Sequence, residues 1–185
     1  MHQAIQAQPA IADGYRLLGD ALFGLKNLAG AANAYQRSLS INANDARTLS
    51  SLARVRSDQQ QYDQAVELFN KAIAIDGNRA DVYWYFGETY ERMGKTEETI
   101  ECWRKAFNLD PHYGGKDCGE NYRKIAVKFL AADKKQEAVL GLNKAIELKP
   151  DLAAAHWSLC EIFNTTNSLP QSRAAALKYY DSVKR

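Results

Sequence analysis

Proline is scarce in this chain, four in 185 residues, and three cysteines, three histidines and two methionines are the whole supply of those types. So little proline suits long helices, because an interior proline removes a backbone donor and clashes with the preceding turn. Cys102, Cys118 and Cys160 are odd in number and stand in no metal-like or redox spacing, which predicts reduced thiols and an intracellular, cytoplasmic setting. Charge of one sign is lacking too: 24 basic against 22 acidic residues leave +2, too weak a field to attract nucleic acid or an anionic membrane. No apolar run nears the roughly 20 residues that span a bilayer. The opening residues Met1–Pro9 lack the basic and apolar regions of a signal peptide. What is plentiful is Ala, Leu, Lys and Glu, and 46% hydrophobic with 25% charged residues predicts a soluble helical protein, neither β nor disordered.

A fixed period runs through the chain. Tyr15, Leu49 and Tyr83 are 34 apart, Tyr122 follows after 39 and His156 after 34 again. Three and four residues beyond each come Leu18-Gly19, Leu52-Ala53, Phe86-Gly87, Ile125-Ala126 and Leu159-Cys160, then Leu22, Arg56, Tyr90, Phe129 and Phe163 at +7. Those spacings share one helix face. The small residue lets a second helix approach closely, and Arg56, the one break in the series, can pack its stem while its head reaches water. The second helix of each unit carries Ala31, Ala65, Thr99, Ala138 and Ala175, then Tyr35, Phe69, Trp103, Leu142 and Tyr179, then Ser38, Ala72, Ala106, Ala145 and Ser182. Gly77, Pro111 and Pro150 read as stops for second helices. In the first unit Asn42 and Asn44 do so, since Asn tolerates a left-handed cap.

These residues resemble the tetratricopeptide repeat: a large residue, then Leu-Gly, Tyr, Ala, Phe, Ala and Pro at set positions of a 34-residue unit. The third unit fits best, through Tyr83, Phe86-Gly87, Tyr90, Trp103, Ala106 and Pro111, with Gly94 at the turn and Thr99 departing from Ala. The resemblance covers the whole chain. It implies an all-α fold, a right-handed α-α superhelix (solenoid) of stacked helix-turn-helix units. The units read as 1–11 (the end of a preceding repeat, with Ala4 and Pro9 in phase as its last turn and terminator), 12–45, 46–79, 80–113, an insert at 114–118, 119–152 and 153–185. The Gly-rich insert is expected to tilt the fourth repeat on the third, and three extra residues lengthen the turn around Asn164 to Gln171. Both ends read as cut from a longer protein.

The resemblance also implies that the first helices line a concave face, exposing the second, fifth, ninth and twelfth positions of each unit. The second positions begin Asp13, Arg47, Asp81 and the ninth Asp20, Arg54, Glu88, with Val127 further on. This alternation reads either as a charged groove or as two ladders of ion pairs between repeats. The fifth positions are Arg16, Ser50, Trp84, Arg123 and Trp157. No helix-packing role obviously asks for two tryptophans there, and Trp and Arg are the types enriched at binding hot spots. Trp84, Arg123 and Trp157 with Tyr85, Val127 and Leu130, together with Arg16, Arg54 and Glu88, make the candidate partner site; the alternative is that Trp84 and Trp157 stack on Arg123 or bury against a neighbouring helix. The clamp of Lys, Asn and Arg by which some members of the family hold acidic chaperone tails is not reproduced, since its positions hold Arg16, Asp20, Ser51, Asp81 and Tyr85 in one window and Ser50, Arg54, Tyr85, Glu120 and Lys124 in the next.

Nothing in the chain suggests catalysis, a metal or a cofactor. His156 falls on a core position, His112 and Cys118 are two donors without others, and Gly114-Gly115-Lys116-Asp117 lacks the spacing of a phosphate loop. Asn164-Thr165-Thr166 matches a glycosylation sequon but reads as a polar turn. The expectation is a protein-interaction scaffold, not an enzyme, whose groove binds a peptide or helix of another protein, without nucleic acid or membrane insertion. Self-association through exposed repeat ends is a further possibility. The alternative is a substrate-recruiting region of a larger enzyme such as a glycosyltransferase.

Overall fold

The computed structural model describes residues 2–110, 113, 118–165, 170, 171, 174, 175 and 177–179. Pro111 and His112, insert residues 114–117, the turn at 166–169 and Ser182 lie outside them. Among the described residues there are nine long helices and no strand: α1 (His2–Gly24), α2 (Leu28–Ile41), α3 (Ala46–Asp58), α4 (Tyr62–Ile75), α5 (Ala80–Arg92), α6 (Thr96–Leu109), α7 (Cys118–Ala131), α8 (Lys135–Leu148) and α9 (Ala153–Thr165). The chain thus folds as an all-α solenoid of helix-turn-helix units. It divides into two compact units, Met1–Leu109 and Asp110–Arg185. In the first, α1 pairs with α2, α3 with α4 and α5 with α6, while α3 also touches both α1 and α5. In the second, α7 pairs with α8, which packs on α9.

The periodic stripe is the core. Ala31, Ala65, Thr99, Ala138 and Ala175 are buried, as are Tyr35, Phe69, Trp103 and Leu142 four residues later and Ser38, Ala72, Ala106 and Ala145 beyond. The serine and threonine of this stripe find acceptors, Ser38 donating to the Ala12 carbonyl at 2.8 Å and Thr99 to the Lys95 carbonyl at 2.7 Å, as burial of a polar group requires. His156 is buried at its core position, its Nε2 donating to the Pro150 carbonyl at 2.9 Å. The head of Arg56 donates to Gln59 and Gln61. Burial pushes the Cys102 thiol up to about 12, which leaves it an inert core residue.

Three sequence expectations fail locally. The second helices stop where Asn42, Gly77 and Pro150 predict, but not through a left-handed cap: Asn42 and Asp76 are extended there, with φ −129° and −143°. Positive φ occurs instead at the turns inside the first four hairpins, at Lys26, Gln60, Gly94 and Asp133, where the chain reverses most tightly. Pro9 ends no helix, because α1 runs through it. Leu18 is not packed like its counterparts: it is 49% exposed, whereas Leu52 and Phe86 are 4% exposed, Leu52 packing on Ala31, Ala32 and Tyr35 of the preceding hairpin.

Helix starts differ in a way that bears on the surface chemistry. Asn27 accepts the Gly30 N–H at 3.0 Å, and the Asp45 carboxylate accepts the Arg47 N–H at 3.1 Å and the Thr48 hydroxyl. One repeat after Asp45 stands Arg79, which makes no capping bond to α5. A cap of this kind is typically worth about 1 kcal/mol, so α5 starts without it.

Candidate functional site

Because α1, α3 and α5 lie side by side, residues 34 apart come next to one another, and the ends of these helices enclose a pocket of about 150 Å³. Phe23 and Lys26 line it from the first hairpin, Arg54, Ser57 and Asp58 from α3, and Tyr85, Glu88, Thr89 and Arg92 from α5. In its wall the Arg54 guanidinium lies 3.6 Å from the centroid of the Tyr85 ring and 4.9 Å from that of Phe23. Ring faces carry negative charge density, so they hold the cation without using its N–H donors.

The other charges are largely occupied. Arg92 donates to Asp58 at 2.5 Å and to Ser57 at 3.3 Å, and the Thr89 hydroxyl lies 3.0 Å from that of Ser57. The hydrogen bond to Asp58 holds the Arg92 guanidinium above its ordinary value. Glu88 is half-buried, and burial raises its carboxyl above the usual range despite Arg54, Arg92 and a hydrogen bond from the Trp84 indole, which all pull it down. Three cations (Lys26, Arg54, Arg92) face two carboxylates (Asp58, Glu88) around the pocket. A guanidinium lying on rings beside an open volume is suited to a carboxylate, which it can grip with two parallel N–H bonds.

The Glu88 shift makes a testable point about stability. A carboxyl whose folded pKa is raised penalises the folded state wherever it is ionised, and the penalty fades as pH falls through the folded value toward the unfolded one. Glu88→Gln, which mimics the protonated form, is therefore expected to melt higher than the parent at pH 7, with the gap closing as the pH falls to about 4.5. Thermal unfolding across pH checks this; a gap that widens on acidification would contradict it.

The structure distributes the sequence-predicted residues unevenly. Arg54, Tyr85 and Glu88 meet in this pocket. Trp84 takes the alternative of packing against a neighbouring helix: it stacks on Trp103 at 5.5 Å, meets Phe107 edge-on at 5.8 Å, and its carbonyl accepts the Trp103 indole N–H at 3.1 Å. Arg16 is held by Asp13 at 3.3 Å and Asp20 at 2.9 Å. In the second unit, Arg123 grips Glu120 on its own helix, with contacts of 2.5 to 3.1 Å. Trp157 is half exposed and tilted against Tyr179 at 5.4 Å; Val127 is exposed and Leu130 half-buried.

The expected ladder Asp13–Arg47–Asp81 does not form. Asp13 pairs with Arg16 and Asp81 with Arg79, because a partner three residues away or at the helix start is nearer than the next helix. In the second ladder Asp20 goes to Arg16 and accepts the Tyr35 hydroxyl at 2.7 Å, leaving only the influence of Arg54 on Glu88. Burial and that Asp20 acceptor hold the Tyr35 phenol above its ordinary range. The inter-repeat ion pair that does form is Arg92–Asp58. Sequence reasoning missed Phe23, Lys26, Asp58 and Arg92, although Asp58 and Arg92 stand 34 apart with opposite charge. Among the described residues no group of three or more His, Cys, Asp or Glu is placed to hold a metal ion, and no helix is long and apolar enough to cross a membrane.

Two sequence profiles, both described as Tetratricopeptide repeat, match residues 4–77 and 80–113. Among curated proteins, the chain is 26% identical over 138 residues to the small glutamine-rich tetratricopeptide repeat-containing protein 2 of Saccharomyces cerevisiae, covering 74% of this chain and 38% of that protein. It is 28% identical over 108 residues to the human mitochondrial import receptor subunit TOM70, covering 58% of this chain and 18% of that one. The chain thus spans little more than a third of the yeast relative. Among solved structures, MamA superimposes with a TM-score of 0.73 at 20% identity, covering 94% of this chain and 92% of that one. YrrB, described as a TPR protein with an unusual peptide-binding site, gives 0.71 at 16% identity, covering 98% and 91%.

Proposed function

The chain belongs to the tetratricopeptide repeat family, whose fold serves protein-interaction scaffolds, and from that premise we propose that its first unit holds an extended segment of a partner protein by an acidic side chain seated on Arg54. The observation that carries this reading is the placement of Arg54: it lies on the Tyr85 and Phe23 rings in the wall of an open pocket where the second arginine, Arg92, is already paired with Asp58. The rings fix the guanidinium in advance, so little conformational freedom is lost when a carboxylate docks. That YrrB has a peptide-binding site on a similar fold supports the reading by analogy.

The test needs no knowledge of the natural partner. Random peptides displayed against the folded chain are expected to be selected for Asp or Glu. Arg54→Glu is expected to weaken them by about 10- to 100-fold, the worth of a hydrogen bond to a charged group. Arg104→Gln, which loosens an exposed pair with Glu101 on α6, serves as control. Selected peptides that bind the Arg54→Glu variant as tightly as the parent, with helicity unchanged, would sink the proposal.

A further inference from the structure

A second pocket of the first unit belongs to no role assigned so far. It measures about 270 Å³ and is lined by Ala12, Asp13 and Arg16 from the middle of α1, Asn42 just after α2, and Asp45, Arg47 and Arg79 at the starts of α3 and α5. Its acidic members are already engaged. Asp13 accepts from Arg16, and the Asp45 carboxylate accepts the Arg47 backbone N–H and the Thr48 hydroxyl.

Two of its cations are not. Arg47 is exposed, and its side chain has no hydrogen-bond or ion-pair partner among the described residues. Arg79 uses one guanidinium nitrogen, Nη2, on Asp81 at 2.6 Å, while its Nε is buried without an acceptor among the described residues. Arg79 moreover stands where Asp45 stands one repeat earlier, and gives up the capping bond that Asp45 makes. A cation at the start of a helix opposes the backbone dipole, so capping does not account for Arg79, and its ion pair with Asp81 uses only one of its nitrogens. An oxyanion in the pocket would give Arg47 its counter-charge and draw the Arg79 guanidinium off its unsatisfied position with a small side-chain rotation.

We propose that Arg47 and Arg79, backed by Arg16, form an oxyanion-binding pocket that takes a carboxylate or a phosphorylated side chain of the partner segment. Seven residues separate Arg47 from Arg54 on α3, a rise of about 10 Å, which an extended peptide spans in about three residues. The ligand is therefore a segment with two anionic residues about three apart. The pairing of the two anchors rests on the reading of Arg54 given above, whereas anion binding by this pocket does not.

The test accordingly uses small anions. The arginine Nε–Hε resonances of the labelled protein are followed while inorganic phosphate, or acetate, replaces chloride at constant ionic strength. Saturable shifts of the Arg47 and Arg79 signals are expected, with phosphate the stronger ligand if the group is a phosphate and acetate if it is a carboxylate. Arg47→Gln, and Arg79→Lys, which keeps the charge near Asp81 but loses the fork, are each expected to weaken binding by about tenfold. Arg104→Gln should not. Shifts that stay linear, or that survive in both pocket variants, would overturn the proposal while leaving the Arg54 reading to its own peptide test.

Discussion

Phe69→Ala is expected to lower the free energy of unfolding by about 3–5 kcal/mol. Phe69 is fully buried at the junction of three helices, and its ring stacks on Phe86 at 5.0 Å with an interplanar angle of 20°. Around it lie Leu49 and Ala53 of α3, Ala65 and Ala72 of α4, and Val82 and Phe86 of α5. Most of these neighbours are small, and none is long or flexible enough to fill the space a deleted ring would leave. The cavity therefore stays open, which puts the cost in the upper part of the range for aromatic truncation. Against the 5–15 kcal/mol that holds a typical domain folded, this is a large fraction. Repeat units contact mainly their neighbours, so the loss should appear first in the backbone amides of α3, α4 and α5. Denaturant unfolding and amide exchange check both points. Phe69→Leu, which restores much of the volume, should recover more than half the loss. A deficit under about 1 kcal/mol for Phe69→Ala would mean the site collapses, contrary to this packing.

The hairpins were legible in the sequence because burial obeys the helical period. Ala31, Tyr35 and Ser38, and their counterparts one and two repeats on, had to share one face, and they do. Less legible was anything that depends on where the chain turns. Gly94 and Lys26 hold the same left-handed position, yet only the glycine announces it; at Lys26, Gln60 and Asp133 the surrounding hairpin imposes a conformation that the residue type does not advertise. Arg79 shows the limit in another form. Its position one repeat after Asp45 was visible, but that the guanidinium would turn to Asp81 and leave the helix uncapped follows only from the side-chain conformation.

The candidate site was legible to the same extent. Arg54 and Glu88, as ninth positions, had to stand on neighbouring first helices, and Tyr85 beside them. Choosing among long, charged side chains was another matter, because each can reach its own helix as easily as the next. Arg16 and Arg123 took carboxylates on their own helices, while Arg92 crossed to Asp58. Trp84 divided its chemistry, its ring joining the packing of Trp103 and Phe107 and its indole N–H supporting Glu88 at the pocket wall. Phe23 and Lys26 were missed because they end a first helix, where the periodic stripe gives way to the turn.

The close approach of paired helices carries the other large effect. A Cβ at Gly87 would lie 2.5 Å from both Cδ1 and Nε1 of Trp103, and the same position in the first hairpin, Gly19, would put one 2.5 Å from the Tyr35 ring. Trp103 cannot swing aside: it is 4% exposed, stacks on Trp84, and donates its indole N–H to a backbone carbonyl of α5. Any side chain at Gly87 therefore forces α5 and α6 apart, and that breaks the hydrogen bond as well as the stack. Gly87→Leu is expected to cost about 3 kcal/mol or more, well beyond the roughly 1 kcal/mol that removing a glycine from a helix returns. Gly24→Ala, at the end of α1 where nothing lies within 4 Å of an added Cβ, is the matched control and should be neutral or slightly stabilising. Because α5 also carries Tyr85, Glu88 and Arg92, parting it from α6 should disturb the Arg54 pocket, so peptide binding should fall along with the melting temperature. Thermal unfolding and peptide affinity measured on the same two variants decide the matter. A Gly87→Leu protein within 1 kcal/mol of the parent would show that the hairpin has slack the packing does not reveal.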